Sequence, residues 1–286
     1  MTLSRPEVQR LLAAHGLRPS RALGQNFVVD PNTVRRVVRL AGVGPGDRVV
    51  EIGAGLGSLT LALLEAGAEV VAVERDRHLV PVLGEVLAGA GERVRVVEAD
   101  ALRLDWGMLL PEPGDGGWAL VANLPYNIAT PMVLDVLERA PSVRSMLVMV
   151  QQEVGERMVA GPGDPANGAV SVRISYFAEA NLAGSVPPTV FWPRPKVDSA
   201  LVRLVRRPRV AVDPSSVTYD RFQQVVRAGF AQRRKMLRRS LSGVVVPAAF
   251  DAAGVDPRAR AQDVTIEQWG NLAGWSPTEP RSTGTE

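Results

Sequence analysis

Residues 47–74 read DRVVEIGAGLGSLTLALLEAGAEVVAVE. Asp47–Ile52 is a β-branched run of the kind a buried parallel strand requires. It ends in Glu51-Ile52-Gly53-Ala54-Gly55-Leu56-Gly57, where glycines let the chain turn sharply and approach a ligand closely. Ser58–Ala66 then has helical spacing, and Glu69–Glu74 is a second apolar run ending in a carboxylate. Strand, glycine turn, helix and strand in this order predict a right-handed α/β crossover.

The same alternation continues on both sides. Asn32–Leu40 has helical spacing, and Val94–Glu98, Leu120–Asn123, Met146–Val150 and Ala200–Val205 read as further strands. Arg5–Asp30 reads as an N-terminal arm, a short helix followed by the polar turn Leu23-Gly24-Gln25-Asn26. Prolines and charge in Arg206–Pro214 (RRPRVAVDP) break the pattern and mark a domain boundary. Beyond it, Tyr219–Phe230, Arg233–Leu241, Pro247–Ala253 and Thr265–Leu272 have helical spacing. The expected organisation is an arm over residues 1–30, an α/β domain over 31–207, a small all-helical domain over 213–275, and a disordered tail over 276–286.

Composition narrows the chemistry. With no cysteine among 286 residues, disulfides, thiolate zinc sites, iron–sulfur clusters and cysteine nucleophiles are excluded. Two histidines, His15 and His78, do not make a metal site, so no metal is expected. The N-terminus lacks a signal pattern and no apolar run is long enough to span a bilayer, which predicts a cytoplasmic protein. A net charge of +3 says little by itself, and the distribution of arginines matters more.

The glycine loop and Glu74 could serve a dinucleotide, since a carboxylate about 20 residues after such a loop bonds ribose hydroxyls there too. A plain strand-to-helix turn would also explain Gly53 and Gly55. Two details favour S-adenosylmethionine. The spacing is G-x-G-x-G, and the acidic Glu51 ahead of the loop would repel a pyrophosphate while suiting a cationic ligand. Asp100, closing the third strand, is placed to bond an adenine amine.

Asn123-Leu124-Pro125-Tyr126 ends the fourth strand, where sheets of this class carry their reacting groups. The N6 amine of adenine is a poor nucleophile because its lone pair is delocalised into the ring. Two acceptors, the Asn123 side-chain oxygen and the Leu124 carbonyl, would draw the amine hydrogens out of plane and localise that pair. Pro125 fixes the turn and the Tyr126 ring stacks on the base. The target must be flipped out or unpaired to enter.

These segments resemble the small-subunit rRNA adenine dimethyltransferases (the KsgA/RsmA family) from about Arg18 to Leu272. The resemblance rests on Leu23-Gly24-Gln25-Asn26-Phe27, the glycine loop, Asn123-Leu124-Pro125-Tyr126-Asn127-Ile128, and Gln152-Glu153-Val154. Most diagnostic are residues 191–200 (FWPRPKVDSA) and 230–237 (FAQRRKML). It implies a class I S-adenosylmethionine-dependent methyltransferase, Rossmann-like, with a mostly parallel seven-stranded sheet and a small C-terminal all-helical domain. It implies that Asn26 and the Val28 backbone cap the cofactor and that Phe191 is the second face of a base sandwich opposite Tyr126, although by residue type alone Phe191 fits a core position equally well. Gln25 and Ala101 complete the expected cofactor set. Departures are small: Ala54 stands where proline is frequent, Val28 for leucine, and Arg21 for lysine.

Arg227, Arg233, Arg234, Lys235, Arg238 and Arg239 are concentrated in the C-terminal region, with Arg203, Arg206, Arg207 and Arg209 just before and Lys196 in the preceding motif. A solvated face would explain them; beside an adenine site, the set Lys196, Arg227, Arg233, Arg234, Lys235 and Arg238 becomes a phosphate-binding surface. The expected partner is small-subunit (16S) rRNA in the immature 30S subunit, bound by a monomer. Rival readings are a large-subunit rRNA methyltransferase of the macrolide-resistance type, a DNA adenine methyltransferase, an NAD dehydrogenase, and an assembly checkpoint with methylation secondary.

Overall fold

The computed structural model describes residues 2–20, 22–111 and 116–275; the expected tail and Arg21 lie outside them. Nine strands occur among these residues: β1 (Phe27–Val28), β2 (Arg48–Ile52), β3 (Glu69–Glu74), β4 (Val94–Glu98), β5 (Trp118–Asn123), β6 (Val143–Gln151), β7 (Ala178–Val186), β8 (Phe191–Trp192) and β9 (Ser199–Arg206). Seven of them form one sheet in the order β4-β3-β2-β5-β6-β9-β7, and β1 pairs with β8 in a separate two-residue ribbon. Strands β4 through β6 are mutually parallel, while β9 runs antiparallel to both of its neighbours.

The order of strands reverses at β2, which lies between β3 and β5. At such a switch point the connecting loops leave in opposite directions and open a crevice at the carboxyl ends. Ile52, Glu74 and Asn123, the last residues of β2, β3 and β5, therefore share one rim. The central strands β2, β5 and β6 are packed on both faces: Val49, Val50, Val121 and Val148 are fully buried, each contributing about 1.5–3 kcal/mol on leaving water. The helices Pro31–Ala41, Ser58–Glu65 and Leu79–Leu87 send Val34, Leu63 and Leu83 into one core cluster with Val49, Val70 and Val121. The first of these starts on Asp30, whose carboxylate accepts the Thr33 amide at 2.9 Å, and stops at Gly42 in the left-handed region.

β7 was not expected. Its residues, AEANLAGSV, are small, polar or exposed over most of their length, as an edge strand can be. Its register against β9 shifts between Leu182 and Gly184, and the Arg36 guanidinium sits against this bulge, donating to the Ser185 carbonyl at 2.9 Å.

The chain divides into two units, one holding the sheet up to Val159 with Phe177–Arg207, the other combining Ala160–Tyr176 with the chain from Pro208 onward. The second unit thus takes in a segment that the sequence reading left with the sheet. Tyr176 explains why: its ring meets Tyr219 and Phe222 at centroid distances of 4.8 and 5.0 Å. Asn167, buried, also donates to the Gln262 carbonyl at 2.8 Å. The unit's core gathers Phe222, Val225, Leu237 and Trp269, with Gly229 under the Trp269 ring, where a Cβ would come within 2.4 Å of it. Helices span Tyr219–Ala231, Leu237–Ser240, Ala248–Ala252 and Ile266–Gly274. The helix expected from Arg233 is therefore a turn until Leu237, and Arg233, Arg234 and Lys235 lie on that turn.

Arg206 also differs from its sequence reading. It is no part of a solvated basic face: its guanidinium donates to the carbonyls of Val136, Leu137, Ala140 and Val143. These are the end of the helix Ala129–Arg139 and the start of β6. The Leu137 carbonyl would look to residue 141 for its helical donor, and Pro141 has none, so the guanidinium supplies it; the Val136 and Ala140 carbonyls, which also accept the Ala140 and Val143 amides, gain a second donor. Burial, with Arg144 nearby, lowers its pKa from the usual arginine value. Arg206→Met keeps the stem but removes these bonds and leaves the Leu137 carbonyl without its donor, and should cost about 1–3 kcal/mol. Urea unfolding measures this; an unchanged midpoint would return Arg206 to the surface set.

Candidate cofactor and base site

One cavity at the rim of β2, β3 and β5 is lined by Gln25, Asn26, Val28, Glu51, Gly53, Gly55, Glu74, Asp100, Ala101, Asn123, Leu124, Pro125 and Tyr126. The structure thus brings together every residue that the sequence analysis assigned to cofactor or base, with one exception. Phe191 has no exposed surface and packs in the sheet core with Val28, its partner in the β1–β8 ribbon. In this geometry Phe191 is not among the residues that line the cavity.

The glycine loop has all three glycines at positive φ: Gly53 at 75°, Gly55 at 59° and Gly57 at 84°. A side chain at Gly55 would also crowd the Phe27 ring, 3.1 Å from where its Cβ would stand. The loop amides are already engaged. Gly53 and Ala54 donate to the Val73 carbonyl, Gly57 donates to Ala54, and Gly55 donates to the Glu74 carboxylate at 2.8 Å. A pyrophosphate cradle needs those N–H groups free and no carboxylate among them, so this loop does not suit a dinucleotide.

Glu74 is buried at the end of β3, and its second oxygen accepts the Asp76 amide at 2.8 Å. Each oxygen keeps a lone pair for a ligand hydroxyl. Burial raises the Glu74 pKa despite these bonds. Glu51, on the neighbouring strand, is wholly buried and accepts the Thr60 hydroxyl at 2.6 Å. Desolvation, with Glu74 adding repulsion, pushes its pKa up to about 8. Asp100 accepts the Leu102 amide at 3.2 Å and pairs loosely with the exposed Arg75 at 3.4 Å.

The Asn123 side chain has one fixed orientation. Its amide nitrogen donates to the Asn26 main-chain carbonyl at 3.0 Å, and a carbonyl can only accept, so the side-chain oxygen is left for the cavity. Leu124 is anchored through its amide to Met149 at 3.1 Å. Tyr126 shares a 3.0 Å hydrogen bond with the buried Ser199, which fixes its ring, and burial raises its pKa. Thr60, Asp76 and Ser199 were missed in the sequence because they act on site residues from distant positions. Gln25 proves to be engaged at both ends of its amide, by the Ser20 N–H at 2.7 Å and by Asp76 at 2.8 Å.

The basic residues are exposed: Lys196 in the sheet unit; Arg227, Arg233, Arg234, Lys235 and Arg238 in the helical one. Arg227 bonds Gln223 at 2.7 Å and Arg233 reaches the Pro165 carbonyl. Among the described residues, no group of acidic, histidine or cysteine side chains could hold a metal, and no helix is long and apolar enough to cross a membrane.

A mostly parallel seven-stranded sheet with this loop and rim defines a class I methyltransferase fold. The model of the ribosomal RNA adenine dimethylase family matches residues 17–276, and the chain belongs to that family. It is 49% identical over 280 residues to the ribosomal RNA small subunit methyltransferase A of Thermobifida fusca, covering 95% of each chain. Among solved structures, the 23S rRNA methyltransferase ErmE superposes with a TM-score of 0.66 at 29% identity, covering 86% of this chain and 98% of that one. A dimethyladenosine transferase from Plasmodium falciparum superposes at 0.71 with 21% identity, covering 85% and 94%, and supports the fold alone.

The buried Glu51 gives a pH signature. An unfolded chain ionises it near 4.5, whereas the folded protein holds the proton to about 8, so the fold binds more protons between those values. Stability of the ligand-free protein should therefore decline as pH rises from about 5 through about 8, by on the order of a few kcal/mol. Glu51→Gln, which cannot ionise, should flatten that decline in denaturation curves taken at several pH values. An equal slope in both proteins would show that Glu51 ionises freely in the fold.

Proposed function

We propose that this protein transfers methyl groups from S-adenosylmethionine to the N6 amines of two adjacent adenosines in the 3′-terminal hairpin loop of small-subunit rRNA. The product is N6,N6-dimethyladenosine, made in the cytoplasm by a monomer acting on the immature 30S subunit. The observation that carries this reading is the fixed Asn123 amide, whose oxygen faces a cavity that also holds Glu51, Glu74 and Tyr126. The 49% identity to a small-subunit enzyme, against 29% to a large-subunit one, favours the small-subunit target.

The donor set fits the cofactor. Glu74 would take the ribose hydroxyls, Asp100 and Ala101 the adenine edge, and Glu51 the cationic methionine end; Asn26 and Val28 would close over it. When bound, S-adenosylmethionine supplies an electrophilic methyl on a sulfonium. The Asn123 oxygen and the Leu124 carbonyl each accept a hydrogen of the target amine, turning its lone pair out of the ring plane. Tyr126, braced by Ser199, stacks on the base, and Pro125 shapes the turn. No general base is needed before attack, because the cationic product amine sheds its proton afterwards. Catalysis is then mainly positioning. For a second methyl, the monomethylated amine keeps one hydrogen for one acceptor.

Asn123→Ala removes an acceptor needed as the nitrogen becomes tetrahedral, so turnover should fall at least about a hundredfold with cofactor affinity near normal. The assay is mass spectrometry of immature small subunits incubated with labelled cofactor. Label only in large-subunit RNA, or only monomethyladenosine, would defeat the assignment.

The exposed basic turn would contact phosphates. Replacing Arg233, Arg234 and Lys235 together by alanine should weaken subunit binding and flatten its dependence on salt, because fewer counterions are released. Titrations at several salt concentrations read this directly. An unaltered slope would mean that these side chains only face solvent. The same variant series addresses an assembly checkpoint: subunit binding by Asn123→Ala without turnover would separate that role from methylation.

A further inference from the structure

The arm residues Leu17–Asn26 have no regular secondary structure and are partly or fully exposed where described, yet Asn26 supplies the carbonyl that orients Asn123. Something must hold so loose a segment in register. Two contacts do. Gly24, at φ +66°, lies so close to the Asn123 motif that a Cβ there would stand 3.3 Å from Pro125 and 3.4 Å from the Asn127 side chain. Gln25, next to Asn26, bonds the Ser20 amide with its oxygen and the Asp76 carboxylate with its nitrogen. Asp76 in turn accepts the His78 amide at 3.0 Å, and its own amide donates to Glu74, which holds Gly55. One run of hydrogen bonds therefore joins the arm, the ribose carboxylate and the glycine loop.

We propose that the Gln25–Asp76 hydrogen bond is a latch that holds the arm where Asn26 fixes the Asn123 amide, making Gln25 and Asp76 positioning residues for methyl transfer. This rests on Asn123 acting as the amine acceptor. With the arm lifted, nothing on the Asn26 side distinguishes the two ends of the Asn123 amide, and a half-turn would aim its N–H groups at the N–H groups of the target. Two donors facing each other cannot draw the amine out of plane. Gln25 thereby leaves the cofactor-binding set: both functional atoms of its amide are committed to the latch.

The test uses the full chain with immature small subunits as substrate, comparing Asp76→Ala, Gln25→Met and the double variant. Each single change breaks the latch while the Asp76 main-chain bond to Glu74 survives. We expect kcat to fall about tenfold, the scale of one lost hydrogen bond. KM for the cofactor should move by less than about threefold, and hydrogen exchange at the Ser20 and Gln25 amides should accelerate. Gln25→Met also frees the Ser20 amide and Asp76→Ala the His78 amide, so the singles need not be equal; the double variant should lose clearly less kcat than the product of the two single losses, since the latch bond is removed only once. Additive losses, an unchanged kcat with a loosened arm, or a reduced kcat with an unaltered arm would each overturn the latch. Asn123→Ala serves as the control: full turnover there would overturn the acceptor reading beneath it, whereas loss there with normal latch variants would overturn the latch alone.

Discussion

Two carboxyl groups held out of water at the ends of adjacent strands constrain everything around them. Glu51 and Glu74 sit on β2 and β3, both buried, and desolvation raises the proton affinity of each. Burying such groups is costly unless each is hydrogen-bonded. The fold meets that demand with Thr60 from the first turn of the following helix and with two main-chain amides, one from the glycine loop and one from the turn after β3. The positive-φ glycines make the loop tight enough to reach Glu74, and the switch in strand order opens the crevice that both carboxyls face. Loop geometry, strand order and electrostatics are thus aspects of one arrangement, and it suits a cation-bearing nucleoside better than a phosphate.

How much of this was legible in the sequence depends on the range of the interactions. The central parallel strands were readable because a strand buried on both faces is apolar and largely β-branched, and the glycine loop because no other residue readily takes the left-handed region at three alternate positions. β7 was hidden by the opposite circumstance: an edge strand can be polar, and AEANLAGSV carries no alternation to betray it. The β1–β8 ribbon, two residues on each side, is too short to have a period, so the residues alone left Phe191 open between a core position and a base-facing one. Arg206 looked like its basic neighbours until four carbonyls were found converging on it. The cavity residues were largely anticipated, whereas Thr60, Asp76 and Ser199 were not, since a partner contributed from elsewhere in the fold leaves no local pattern.

Methyl transfer and phosphate attraction are housed separately in the reading offered above. The chemistry is assembled entirely from the sheet unit, from residues that are buried or half-buried and locked by neighbours. The charge of the helical unit is carried on exposed side chains at a turn and on the helices that flank it, where exact placement matters less because Coulomb attraction to phosphates is non-directional. A change in either set should therefore alter either rate or capture with little crossover.

The bulge in β7 bears on how the molecule behaves in a crowded solution. A long open sheet offers a row of unpaired main-chain groups at each end, on which a second copy could add strands. Here the register slip at Gly184 kinks one border, and Arg36 lays a charged group across it where any Cβ at Gly184 would collide. At the other border, β4 carries exposed Arg95 and Glu98, and Arg95 ties down the Leu109 carbonyl at 2.7 Å. Neither border is a flat apolar template, so the sheet terminates itself. An irregular, weakly patterned strand that sequence reading passed over is, in this light, a safeguard against polymerisation.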